Sequence, residues 1–412
     1  MAVAVFDSKT YIREFLSHSR ASRFTAPPET APVYERLIYA DYLNMVEDKN
    51  IDGMLEAIDT KDNEYLTLFK IAVKSIADPA APVVEVAQSW VAVADKFPLD
   101  VLSLKRASQW TFSTPDFPLM LRITTKGYNH YLANKDKVEF GEFVPGIHAF
   151  SLQQNEILDV SEKIIRASLE SFKADPWGIH ALLHILYFAG KIDEGIEAYQ
   201  QFKDYFVNCD AFLFTHARWH FGLFLMDKDG DEPRRHLVDS IIAKALWADL
   251  SDDFKKDFWV CTGVLALFWK IELRDESDAL LHSSSRALLE QAFEQAFKFV
   301  NVSATYSEVY TAITMRYVCL FEPESATRAL EWVSSVFKND TLNNLCRAIV
   351  NHYLPDASLP YDENLLFNLD CLGSSSEQRE VLFEFSLRFL QSRPHTIDLK
   401  KSSWNDALPR GT

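Results

Sequence analysis

Apolar positions fall at three- and four-residue steps along almost the whole chain. At 33–46 the run VYERLIYADYLNMV places them on one helical face, and 62–76 and 84–97 repeat the arrangement. A short helix is expected before these, over about 9–17, ahead of the breaker Pro27-Pro28. Pro98, Pro115 and Pro118 predict a stretch of shorter helices. The helical period returns at 159–172, 193–206, 254–273, 287–300, 307–320, 325–337 and 376–391. No segment alternates with period two for long enough to predict a sheet. Asp175-Pro176-Trp177 predicts a helix start, a capping carboxylate followed by proline at the first helical position, and Gly190 predicts that helix's end.

A longer period overlies the short one. The pairs His148-Ala149, His180-Ala181 and His216-Ala217 stand 32 and 36 residues apart, each early in an apolar helical segment. Helix pairs recurring at roughly 34 residues are the tetratricopeptide period, in which each pair buries its apolar face only by stacking on its neighbours. The fold expected is therefore all-α, a tetratricopeptide-like α-solenoid of stacked antiparallel helix pairs. Residues 1–139 would cap it, 140–245 form its central repeats and 246–412 continue it as one structural unit.

Composition agrees with helices and narrows the partners. The chain has 412 residues, of which 48% are hydrophobic, with only 12 Gly and 16 Pro. A formal charge of −17, scattered along the chain, argues against nucleic acid and anionic membrane as partners. No apolar run approaches the ~20 residues of a membrane helix. Cys209, Cys261, Cys319, Cys346 and Cys371 form no C-x-x-C pair. With no secretory leader at the start, this odd count leads us to expect a cytoplasmic protein.

The candidate chemistry lies in the repeated histidines. His180 and His184, and again His216 and His220, are four residues apart, so each pair shares a helix face. On the tetratricopeptide pattern, His180 and His184 fall where side chains face the concave groove. All four are expected as acid/base groups, His184 and His220 foremost, with His148, Trp177, Tyr187, Trp219, Asp227 and Arg379 binding a ligand. Trp177 and Trp219 could stack on a flat molecule, although core packing accounts for either. No metal is expected. Ala181 stands where an H-E-x-x-H motif has glutamate, and Asp227 or Asp210 would have to supply the carboxylate. No cofactor is expected either, since G-x-S-x-G, P-loop and G-x-G-x-x-G motifs are all absent from the sequence.

Several of these segments also carry a family likeness. PGIHAFSLQQ, DPWGIHALLHIL followed by GKIDEGIEAY, FLFTHARWHFGLFLMD, LALFWKIEL and GSSSEQREVL resemble signatures of proteins similar to tetratricopeptide repeat protein 38. The likeness spans residues 100–390 or so and implies the same solenoid. It departs from the family pattern at Gln153 and Gln154, where the family has paired acids, at Tyr187 and Asp227, where it has glutamate, and at Ser376, where it has histidine. Two functions are open from the sequence. One is cofactor-free isomerisation, cyclisation, elimination or addition on a small organic molecule in a histidine- and aromatic-lined cavity. The other is a non-catalytic scaffold whose groove binds a peptide or partner protein.

Overall fold

Short polar side chains set where the helices begin. Asp7, Asn63, Asp100, Asp116, Asp175 and Asn339 each precede a helix and accept the backbone N–H three residues on. The computed structural model describes residues 4–20, 24–45, 51–78, 81–228, 247, 250–275, 286–300, 308–337, 339–362, 365–366, 369, 372 and 376–391. These residues are all-α apart from two-residue strands, Ala4–Val5 and Phe24–Thr25, that pair in parallel. The chain divides into two compact units. One is Met1–Ala189 with Glu197–Ala217, and the other is Gly190–Ile196 with Arg218–Thr412.

The first unit contains α1 (Ser8–Leu16), α2 (Val33–Met45), α3 (Ile51–Glu56), α4 (Glu64–Ala77), α5 (Val83–Lys96), α6 (Val101–Ser113), α7 (Phe117–Ala133), α8 (Val144–Gln154), α9 (Leu158–Ser171) and α10 (Pro176–Phe188). From α4 to α9 each helix packs on the next, and α5 also meets α7, α6 meets α8, and α8 meets α10. The expected shorter helices are instead full ones, of 13 residues in α6 and 17 in α7. The reason is local: Pro118 occupies the first turn of α7, where a missing N–H costs nothing. Leu37, Phe69, Trp90, Leu104 and Ile147 lie in the main core. A smaller apolar group, Met120, Phe150 and Ala181 with Trp177 and Phe112 against it, joins α7, α8 and α10.

Two glycines seat α10. The Asp175 carboxylate that caps it lies against Gly146 and Gly178, and a Cβ on either would collide with its Oδ2. Gly190, with φ of +66°, follows the helix in the left-handed conformation its position predicted.

Helices α11 (Ile192–Phe202) and α12 (Ala211–Lys228) each run across the division of the chain. The second unit continues with α13 (Phe258–Asp275), α14 (Arg286–Val300), α15 (Glu308–Phe321), α16 (Ala326–Val336), α17 (Asp340–Tyr353) and α18 (Ser376–Gln391). α13 packs on α14, α15 and α18, and α15 on α17. Its interior holds an ion pair between Arg316 and Glu272. The Arg316 Nε donates to the Tyr353 hydroxyl at 2.9 Å, and Tyr317 donates to the Leu265 carbonyl at 2.8 Å.

Candidate histidine centre

α10 is PWGIHALLHILYF, apolar on nearly every side, so its two histidines have no polar face to occupy. His180 and His184 are buried, and the Nε2 of one lies 2.9 Å from the Nε2 of the other. One ring nitrogen must donate and the other accept, so the two share a proton-transfer contact. α12 carries His216, also buried, with its ring 4.9 Å from that of His180 and 6.1 Å from that of His184. Candidate ligand atoms of these three histidines lie within 4.8 Å of one another. His220 stands one turn beyond His216 on the same helix and is fully buried.

Aromatic rings wall the first three. Phe150 lies 5.9 Å from the His180 ring and 5.6 Å from His184, Trp177 lies 4.9 Å from His180, and Phe212 stacks on His216 at 5.0 Å. Burial, with the neighbouring His184 adding to it, holds the His216 pKa down to about 3. That imidazole is neutral at physiological pH and keeps a lone pair, as a metal ligand or a proton acceptor requires.

The other expected residues scatter. The groove-facing positions expected for His180 and His184 are enclosed, at 2% and 0% exposure. Trp177 and Tyr187 are half-buried on α10. Trp219 is buried with its ring edge-on to His220 at 5.3 Å. Asp227 is exposed near the end of α12. Arg379 lies on α18, and its side chain falls outside the described residues. His148 stands apart, its Nδ1 3.3 Å from the Thr124 hydroxyl and its ring stacked on Tyr128 at 4.7 Å. Cys209 is no nucleophile, because burial pushes its thiol up to about 12. A cleft of about 600 Å³ in the first unit, lined by Tyr34, Tyr65, Phe97 and Asp100 among others, contains no histidine.

A second buried polar group surrounds Trp177, and sequence reasoning passed over most of it. The Lys105 Nζ sits 3.2 Å from the Trp177 ring centroid, and His18 stacks on the same residue at 5.1 Å with 10° between planes. The His18 Nδ1 lies 3.0 Å from the Asp210 Oδ2. Segment 18–20 is held beside 208–210 by backbone bonds, Asp210 N–H to the His18 carbonyl at 2.6 Å and Arg20 N–H to the Asn208 carbonyl at 3.1 Å. Asp210 therefore does two things: Oδ1 caps α12 by accepting from Leu213 N–H at 2.8 Å, and Oδ2 orients His18.

Lys105 had a legible signal. Steps of four from Val101 and Leu102 land on Lys105 and Arg106, so both cations stand on the apolar stripe of α6. His18 had none, because its partner lies 192 residues away.

His148 supplies a pH prediction. Burial lowers its pKa to about 4, against about 6.5 in an unfolded chain. The unfolded state thus binds the proton more tightly, and the stability tied to the neutral ring is whole above pH 6.5 and lost as pH falls toward 4. Between pH 7 and 4.5 this residue should cost the fold roughly 2–3 kcal/mol. Urea unfolding of the wild type and His148→Phe at the two pH values measures it, and an equal acid loss in both proteins would refute it.

No protein-family model matches the chain, and no solved structure matches it.

Proposed function

We propose that the histidine centre binds one transition-metal ion, with His180, His184 and His216 as ligands. The observation that carries this is the convergence of buried imidazole nitrogens from α10 and α12. No carboxylate stands beside the histidine pairs, but three imidazoles can hold an ion without one. A neutral, nitrogen-only donor set of intermediate softness suits zinc, copper, nickel or iron and disfavours magnesium and calcium. The bound ion would supply a Lewis acid in a site walled by aromatic rings, which restrict what reaches it.

Elemental analysis after dialysis should find close to one such ion per chain once the protein is reconstituted. His184→Ala should weaken metal binding by about 100-fold or more, beyond the effect of outer-shell changes. Binding that is absent in the wild type, or equal in the two proteins, would end this reading.

A second reading is favoured by the 2.9 Å contact between the His180 and His184 rings. That contact is a ready proton relay, and it supports acid/base transformation of a small organic molecule by His184 with His180 as its partner. The peptide-binding scaffold has less behind it, since enclosed imidazoles offer nothing to a peptide lying in a groove.

We further infer a tetratricopeptide-like solenoid related to tetratricopeptide repeat protein 38. Contacts between alternate helices, α5 with α7, α6 with α8 and α8 with α10, support stacking of successive pairs. The four described cysteines are unbridged, and no described helix is long and apolar enough to cross a membrane. Both support the cytoplasmic setting.

A further inference from the structure

Lys105 and Arg106 are adjacent on α6 and both are buried, at 2% and 6% exposure. Their surroundings differ. Arg106 has a carboxylate partner, its Nη2 donating to the Asp41 Oδ2 at 2.8 Å. The Lys105 Nζ makes no hydrogen bond among the described residues and rests on the Trp177 ring. Burying an amine without a partner costs stability that folding does not recover elsewhere at that site. A methionine would fill the same space without that cost, so packing gives no reason for the amine.

The residues round it also hold unspent polar atoms. Asp175 is 1% exposed; one of its oxygens caps α10, and Oδ2 has no hydrogen-bond partner among the described residues. His18 is oriented by Asp210 through Nδ1, which leaves its buried Nε2 without a hydrogen-bond partner among the described residues. With Nδ1 donating to a carboxylate, Nε2 carries the lone pair of a base. His18 also holds a left-handed backbone, φ 50°, that a non-glycine residue adopts at a cost. His18, held by a carboxylate, and the Lys105 amine thus share the half-buried Trp177, and the charges of Asp175 and Asp210 act on that amine. Charge fits the same picture. Burial drives the Lys105 pKa well below the ordinary lysine range; Asp175 and Asp210 draw it back, and Arg106 pushes it further down. Burial likewise raises the Asp175 carboxyl to about 7. Burial thus favours the neutral, nucleophilic form of the amine, and the carboxyl is a proton donor near neutral pH.

We propose that Lys105 is the nucleophile of a second site, which takes a small aldehyde or ketone and holds it as an imine. The Nζ lone pair attacks the carbonyl carbon as the Asp175 carboxyl protonates the carbonyl oxygen. His18 Nε2 takes a proton from the attacking nitrogen and returns it to the new hydroxyl, which leaves as water. The protonated imine that remains is balanced by the Asp175 carboxylate, so amine, carboxylic acid and carbonyl become iminium, carboxylate and water with no redox change. None of these groups is one of the three proposed ligands, so the site does not rest on the metal reading.

The test is reductive trapping with acetaldehyde and sodium cyanoborohydride on the full chain at pH 7, followed by peptide mass spectrometry of every lysine. Lys105 should be alkylated at least about tenfold faster than the surface lysines, because those are almost wholly protonated at this pH. The preference should vanish when the wild type is labelled in 8 M urea, roughly full denaturation. Asp175→Asn and His18→Gln should slow labelling of Lys105 while leaving surface labelling unchanged. Lys105 unlabelled in the folded protein, or labelled at one rate folded and unfolded, would overturn the proposal whether or not the variants fold.

Discussion

Asp41→Ala should cost roughly 3–5 kcal/mol of unfolding free energy, enough to unfold a marginal domain at physiological temperature. Asp41 is 0% exposed and binds two side chains through one oxygen, accepting from the Tyr11 hydroxyl at 2.7 Å and from the Arg106 Nη2 at 2.8 Å. The contacts tie α1, α2 and α6 together. Arg106 is further enclosed by Phe15, whose ring centroid lies 4.2 Å from its guanidinium carbon. Removing the carboxylate leaves that guanidinium buried against rings with its charge uncompensated. The loss comes from stranding a charge and does not measure what the pair contributes. Replacing both partners, Asp41→Leu with Arg106→Met, should therefore recover most of it. Urea denaturation of the wild type, the single and the double variant decides the matter. A single variant within about 1 kcal/mol of the wild type would show that water reaches Arg106 and that the pair is not buried in solution.

What the sequence made legible follows from the range of the interactions involved. Helices with a local signal were placed closely. Asp175 and Gly190 bracket α10 because capping and left-handed termination depend only on adjacent residues. The histidine pairs were visible because their spacing is local too. That His216 of α12 meets the α10 pair is a tertiary fact the pattern suggested but could not fix. Prolines misled at α7, where a residue read as a breaker sits inside the first helical turn. The enclosure of His180 and His184 was not legible for a related reason. The pattern gave the face of α10, and what packs over that face includes Phe150 and His216, which come from other helices.

The buried group round Trp177 was the least legible part. Lys105 is one of two adjacent cations on an apolar stripe, and sequence alone does not tell a snorkelling lysine from an enclosed one. The Asp210–His18 contact depends on a loop before α12 reaching back to the end of α1. Residues of this kind, each breaking a local rule in the same small volume, are what a functional site is expected to look like. Asp175 links the two levels. Sequence identified it as a helix cap, and the structure packs its second oxygen against Gly146 and Gly178 while its charge acts on the Lys105 amine.

Lys105→Met should accordingly make the protein more stable at neutral pH, by up to about 4 kcal/mol. The side chains are similar in length, and the thioether suits a ring that now carries an unpaired amine. The pH dependence distinguishes this from a simple gain in packing. Burial first, and Arg106 after it, depress the folded lysine's pKa, while Asp175 and Asp210 oppose them. His18 is the remaining titratable neighbour, and Lys105 in turn lowers its pKa. The unfolded chain keeps the lysine proton up to about pH 10.4. Stability associated with the neutral amine is present above that value and is lost as pH falls toward the folded one, so the wild type is penalised at pH 7 and progressively less as pH rises. The advantage of Lys105→Met should therefore shrink between pH 7 and 9.5, whereas a packing gain would stay constant. Melts of both proteins across that range give the answer. A variant no more stable than the wild type at pH 7 would mean that Lys105 finds a polar partner in solution, and a constant advantage would mean that its proton is not lost on folding. A gain that fades with pH, together with loss of reductive labelling, would identify a residue kept at the expense of the fold for the chemistry of its amine.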